Sequence, residues 1–423
     1  MKSIGRATLA VTMLLVMGSC GDDGSSTTTD PGGSNGNTSA TGGGNNGGGG
    51  AGSNGAIELR QSILSNLGES VIIAEYQTFI QKSEALEQAV GAWAQSSSAS
   101  DREAAQNAWR EAMVQWQRCE LYQVGPAGLM DVVTGGEDLR DEIYSWPLTN
   151  PCRVDQELVE EAFTDANAFT SEPINVRGLD ALEYLLFTTG SDNRCAPNSS
   201  INRNGTWAAL GDSEIDNRRA RYAQTLASIL SQQATTLFNA WQPEGGNFIG
   251  ELSGAGNTSA TYPTTQEALN ALSDAMFYLE KETKDMKLAV PTGLSDSCNE
   301  DLCLDDLESP FALHSKENIL ANLHAFRLLL VGNESDAEEA PGFDDLLVSV
   351  GAEDVLTTLL TGIDSSIEAL EAIDTSLRVA LTNDPQAVVD AYNILQAALV
   401  EFKTRFVGVL DLEIPQRAEG DND

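Results

Sequence analysis

Two acids set into a strongly apolar stretch are the residues of this chain best placed to do chemistry. In Asn175-Val176-Arg177-Gly178-Leu179-Asp180-Ala181-Leu182-Glu183-Tyr184-Leu185-Leu186-Phe187, Asp180 and Glu183 stand three residues apart. On a helix that spacing puts both on one face, about one turn from each other. Leu179, Leu182, Leu185, Leu186 and Phe187 cover most of the remaining circumference, the pattern of a helix buried on nearly all sides. Unpaired carboxylates are costly in such surroundings, so the two should meet an arginine, share a proton or hold a cation. Arg177, just ahead of them, is a candidate partner for the pair or for a ligand that the pair holds.

Other chemistries lack their residues. The chain has only His314 and His324, and no His-Glu-x-x-His, which speaks against a zinc peptidase. Gly211-Asp212-Ser213 has the form of a serine-hydrolase triplet, but Ser213 ahead of Asp216 reads as a helix N-cap. There is no Gly-x-Ser-x-Gly elbow, phosphate-cradling glycine loop or dinucleotide fingerprint. The net charge of −39, from 24 basic and 63 acidic residues, excludes a nucleic-acid partner, which needs a basic face. Acids spread along the whole chain read as a solvated surface.

The elements that must position the pair are helices. Apolar residues recur at three- and four-residue intervals over 57–67, 71–94, 101–124, 155–169, 176–187, 216–241, 265–288, 315–331, 343–360, 363–381 and 387–410. No segment sustains a period of two. Stop signals separate the helices at Gly125-Pro126, Gly135-Gly136, Pro147, Pro173, Pro243-Glu244-Gly245-Gly246, Pro291, Pro341-Gly342 and Asn383-Asp384-Pro385. The expected fold is all-α, and the length suits two helical bundles.

Residues 1–20 read as a secretory signal: Lys2 and Arg6, an apolar run from Ala7 to Met17, then Gly18-Ser19-Cys20. The run is too short for a stable transmembrane helix, which takes about 20 residues. Cys20 resembles the lipidated cysteine of a bacterial lipobox, which gives an expectation of attachment to a membrane through an N-terminal lipid in the bacterial envelope. Residues 21–55, rich in Gly, Ser, Thr and Asn, read as a flexible tether. Such a coil of about 35 residues reaches on the order of 30 Å. In an exported chain Cys298 with Cys303 would close a small loop, and Cys152 with Cys195 would staple the segments flanking the central helix. Cys119 reads as a buried apolar residue, though the spacings alone leave several pairings open.

Gly178-Leu179-Asp180-Ala181-Leu182-Glu183 resembles the Gly-x-His-x-x-Glu motif of the imelysin-like family, periplasmic and surface proteins linked to iron uptake and once classed as metallopeptidases. Similar stretches are Ala108-Trp109-Arg110-Glu111-Ala112 with Trp116 and 120–126, Ile143-Tyr144-Ser145-Trp146-Pro147-Leu148 with its Trp-Pro-Leu turn, and Glu308-Ser309-Pro310-Phe311 leading to Ser315 and Asn318-Ile319. The similarity runs over roughly 57–411, with Asp180 standing where the family has histidine.

The resemblance implies a folded region over 56–411 in two helical halves, about 56–245 and 265–411, followed by an acidic tail at 412–423. It implies Glu120 as a third ligand beside Asp180 and Glu183. It also sets Glu308, Ser309, Ser315 and His314 across a cleft from the central helix. Without an imidazole, three carboxylates suit iron as Fe³⁺, calcium, magnesium or manganese better than zinc or copper. The expected function is binding of a cation or small ligand in metal or iron acquisition, with other envelope proteins as further partners. The alternatives are a metal-dependent hydrolase with Glu183 as general base, and a structural or adhesive surface lipoprotein in which an arginine satisfies the pair.

Overall fold

The computed structural model describes residues 51–334 and 340–418, and among them there are helices and loops but no strand. The expected signal, lipidated Cys20 and tether up to residue 50 lie outside the described residues. No helix among the described residues is long and apolar enough to cross a membrane. From Gly48 onward the chain forms one compact unit.

The first helix starts earlier than the apolar pattern predicts. Helix α1 (Ala51–Asn66) takes in the end of the Gly-rich stretch, then runs through a π-helical segment, Leu67–Ile72, into α2 (Ile73–Ser96). The expected break near Gly68 is absent. A Cβ at Gly68 would lie 2.1 Å from Ile249 Cδ1, so glycine here admits the short helix Phe248–Ser253 against the backbone rather than ending the helix. After a left-handed turn at Ser97, α3 (Ala99–Cys119) begins where the Ser98 hydroxyl accepts the Asp101 amide at 3.1 Å.

The central helix α4 (Gly178–Phe187) packs between α3 and α5 (Asp212–Trp241), and α2 packs on both. Gly211, at φ +74°, precedes α5, so Ser213 is an ordinary first-turn residue and not the cap.

The second half contains α6 (Thr265–Met276), opened by a Thr264/Glu267 capping box and followed by a π-helical segment, Leu279–Ala289. Helices α7 (Ser315–Val331), α8 (Glu353–Glu371) and α9 (Pro385–Glu401) complete it. The predicted helices over 343–360 and 363–381 divide differently. Gly351, at φ +75°, ends a short helix Phe343–Ser349, and α8 then runs unbroken through Gly362. The predicted helix over 155–169 is also broken, at Glu161 in a left-handed conformation.

Helix α3 packs on α7, which brings the two sets of helices together beside α4. Trp109, Trp116, Trp241, Tyr76 and Tyr222 are fully buried on one side, while Phe277, Phe326, Phe402 and Phe406 pack in tilted and edge-on contacts on the other. Cys152–Cys195 and Cys298–Cys303 form disulfides, and Cys119 is free and buried, as the sequence suggests. The tail is partly packed, since Leu412 and Ala418 are buried.

Candidate functional site

Every residue of α4 from Gly178 to Leu186 is buried. Its entry depends on Gly178, which sits at φ +78° with a would-be Cβ 2.6 Å from the Ile143 carbonyl oxygen. Any side chain there would push the helix away from 143–145. That contact brings the Ser145 amide to Asp180, where it donates to Oδ2 at 2.9 Å, with Ser145 Oγ at 3.3 Å.

Glu183, a turn further on, is held from the second half. Its Oε1 accepts the amides of Phe311 and Ala312, both at 2.8 Å. The loop supplying them is shaped by two non-glycine residues in left-handed conformation, Ser309 (φ +49°) and Leu313 (φ +56°). Asn318 Nδ2 donates to Ser309 Oγ at 3.0 Å, and the Ser315 hydroxyl donates to the Glu308 carbonyl.

The loop is anchored by Glu308, whose side chain is fully buried. Oε1 accepts Tyr144 Oη at 2.6 Å and Gln117 Nε2 at 2.9 Å, and pairs with Lys287 Nζ at 3.1 Å. Glu308 Oε2 has no hydrogen-bond partner among the described residues. Lys287 also donates to Gln117 Oε1 at 2.6 Å and Asn322 Oδ1 at 2.8 Å. It lies 5.1 Å from the Tyr278 ring centroid and 5.7 Å from that of Trp146. Burial pushes the Lys287 ammonium below its ordinary range, against the pull of Glu308.

Sequence reasoning missed Gln117, Lys287 and Asn322, and gave Tyr144 no role although it stands in the 143–148 stretch similar to the family. The one available signal was Lys287 itself, a cation inside the apolar run Met286 to Val290.

Burial also dominates the two acids. It pushes Asp180 up to about 7, against the Ser145 amide and the Thr149 hydroxyl. Glu183 goes to about 8, with the Ala312 and Phe311 amides opposing and the Asp180 and Glu308 charges adding to the rise. Both therefore exchange protons near neutral pH.

Two expected ligands face elsewhere. Glu120 is fully buried, but its carboxylate is taken by Arg140, with Nη2 2.9 Å from Oε2 and Nε 3.2 Å from both oxygens. A buried carboxylate needs such a partner, and the scarce arginine wins over convergence on α4. Arg177 turns away from the pair to Glu142, at 2.6 and 3.2 Å. Among the described residues no group of three or more His, Cys, Asp or Glu is arranged to hold a metal ion, so the Asp180, Glu183, Glu120 ligand set is not assembled.

His314 is buried, edge-on to Trp109 of α3 at 5.8 Å, so it is an interface residue and not a surface one. Burial lowers it to about 4, and the neutral ring leaves Nε2 without a partner among the described residues.

The family model described as imelysin matches residues 72–405. The chain is 25% identical over 224 residues to iron-regulated protein A of Synechococcus elongatus, an alignment covering 51% of each chain; the present chain thus spans about half the length of that curated relative. Two crystal structures share the fold at 16% identity. One is a protein designated iron-regulated protein A precursor from Parabacteroides distasonis, with a TM-score of 0.62 over 83% of this chain and 95% of that one. The other is an imelysin-like protein from Psychrobacter arcticum, with a TM-score of 0.60 over 84% and 97%. The match over 72–405 takes in α4, the Trp146 turn and the 308–315 loop together, and the chain belongs to the imelysin family.

Proposed function

We propose that this protein is an envelope-located binding protein serving iron supply, which takes a cation or small cationic ligand at the seam where α4 meets the 308–312 loop. Iron enters the reading through the names of the relatives, two of which are called iron-regulated protein A. Attachment through a lipid on Cys20 belongs to the same reading, and rests on the sequence.

The observation that carries the binding site is how the two acids are held. Asp180 and Glu183 are fixed by uncharged amides from opposite sides, and among the described residues no arginine forms an ion pair with either, the Arg140 charge acting on Asp180 only from a distance. Glu183 spends only Oε1 on those amides, and the residue keeps 4% of its surface exposed. A cation reaching the pair replaces protons that burial keeps there, so binding and proton release are linked. The ion is cargo held by few protein oxygens, which suits a chelate or hydrated ion better than a bare metal in a closed cage.

Titration calorimetry of the full chain with Fe³⁺ citrate, Fe²⁺, Mn²⁺ and Ca²⁺, in two buffers of different ionisation heat, tests this. Binding of one of them with proton release near neutral pH, lost in both Asp180→Asn and Glu183→Gln, is the expected result. If none binds, the binding reading falls.

A structural reading is favoured by the same amide bonds, since they tie the Ser145 and Phe311 segments to one helix. It predicts that Asp180→Ala and Glu183→Ala lose stability equally with and without cation.

A further inference from the structure

We propose a second ligand site, for a small amphipathic carboxylate, between α1 and the C-terminal end of the chain, with Arg60 holding the charged head. A pocket of about 130 Å³ lies there. Its floor is made by Leu269, Leu346, Leu410 and Leu412, all buried. Its wall includes Val350 and Val409, which are 54% and 40% exposed. Large apolar side chains left facing solvent around an apolar hollow are the form of a binding pocket rather than of a packing defect.

Arg60 also lines the pocket. It is half-buried and has no ion pair among the described residues. Of the other described arginines without an ion pair, Arg102 donates to backbone carbonyls, Arg110 to Asn107, Arg194 lies over the Phe311 ring and Arg203 is exposed. Arg118, Arg140 and Arg177 each hold a carboxylate, and so do Arg153, Arg218 and Arg405. A planar guanidinium that forms no ion pair, at the edge of an apolar hollow, matches a carboxylate bound by two parallel hydrogen bonds.

Size sets the other end of the ligand. An apolar cavity of about 150 Å³ takes one benzene ring. The hollow therefore admits an apolar end of about six carbons, as in hexanoate or benzoate. Asp411 lines the same pocket with an exposed side chain, while its backbone carbonyl accepts Gln266 Nε2 at 2.8 Å. Its charge opposes an anion, and this gives the site a variant of opposite sign.

The test is a titration of the full chain with hexanoate, read from the methyl signals of Leu346, Val350 and Leu410 by NMR. Hexanol supplies the chain without the charge, and acetate the charge without the chain. Saturable shifts with hexanoate are expected, about tenfold weaker with hexanol and absent with acetate. Arg60→Gln should weaken hexanoate by about tenfold, and Asp411→Asn should tighten it by a few-fold. Val350→Trp, which fills the mouth, should abolish the shifts. Equal binding of hexanol and hexanoate, or hexanoate binding unchanged in Arg60→Gln, overturns the assignment. Absence of any saturable shift in the unaltered protein overturns it as well.

Discussion

Glu120 and the Asp180/Glu183 pair are buried carboxylates on adjoining elements, yet the fold satisfies them by opposite means. Glu120 meets a guanidinium, and its charge is balanced where it sits. Asp180 and Glu183 meet backbone amides, which fix direction without cancelling charge. Balanced, a buried acid is part of the scaffold. Directed but unbalanced, it is pushed toward its protonated form, as the rise to about 7 and about 8 shows, and is ready to exchange its proton for another positive charge.

The largest effect separating the two modes is expected at Arg140. Arg140→Ala takes the ion-pair partner from buried Glu120, and removal of one partner from a buried pair costs about 3–5 kcal/mol. Urea denaturation at neutral pH would report it. Glu120→Gln keeps an oxygen for Arg140, which still pairs with Asp141 at 3.0 Å, and should cost clearly less. Equal losses would mean that Glu120 is not held as an ion.

The second effect is on pH. Unfolded, Asp180 and Glu183 titrate near pH 4; folded, they keep their protons to about 7 and about 8. Between those limits the native state binds more protons than the unfolded one, so stability falls as pH rises from about 4 to about 8 and recovers on acidification. Each group contributes up to about 1.4 kcal/mol per pH unit within its window. Glu183→Gln keeps an oxygen for the Phe311 and Ala312 amides and removes the titration. It should flatten the upper part of the slope and leave the protein at least as stable at pH 8. A slope unchanged in Glu183→Gln and Asp180→Asn together would place the proton exchange elsewhere.

How much of this was legible in the sequence follows from what each residue type announces. The helices were, because apolar spacing records which face is buried: α7 was predicted as 315–331 and found as Ser315–Val331. Asp180 and Glu183 stood out because acids are rare on an apolar helix. The role of their partners did not, although Ser145 and Phe311 stand in stretches similar to the family, since Ser145, Phe311 and Ala312 act through amides, and a backbone amide has no sequence signature. Distance along the chain hid them further, at 35, 128 and 129 residues. Glu120 was misassigned although a clue existed. With so few bases in the chain, a fully buried acid such as Glu120 claims one of them, and Arg140 is the one it meets. The gap expected between 57–67 and 71–94 is filled by helix, and Gly68 within it serves a close helix contact.

The smallest effect is the one that tests most directly whether amides hold the pair. Ser145 approaches Asp180 Oδ2 twice, through its amide at 2.9 Å and its hydroxyl at 3.3 Å. If the amide carries the interaction, Ser145→Ala removes only a long hydrogen bond, which the Thr149 hydroxyl helps replace. The expected loss is about 0.5 kcal/mol, the low end for a hydrogen bond, and the Asp180 titration followed by carboxyl NMR should stay near pH 7. A loss several times larger, or a clear upward move of that titration, would assign Asp180 to the side chain. The hydroxyl would then be the group that directs it, and the contrast with Glu120 would rest on side-chain chemistry at both acids.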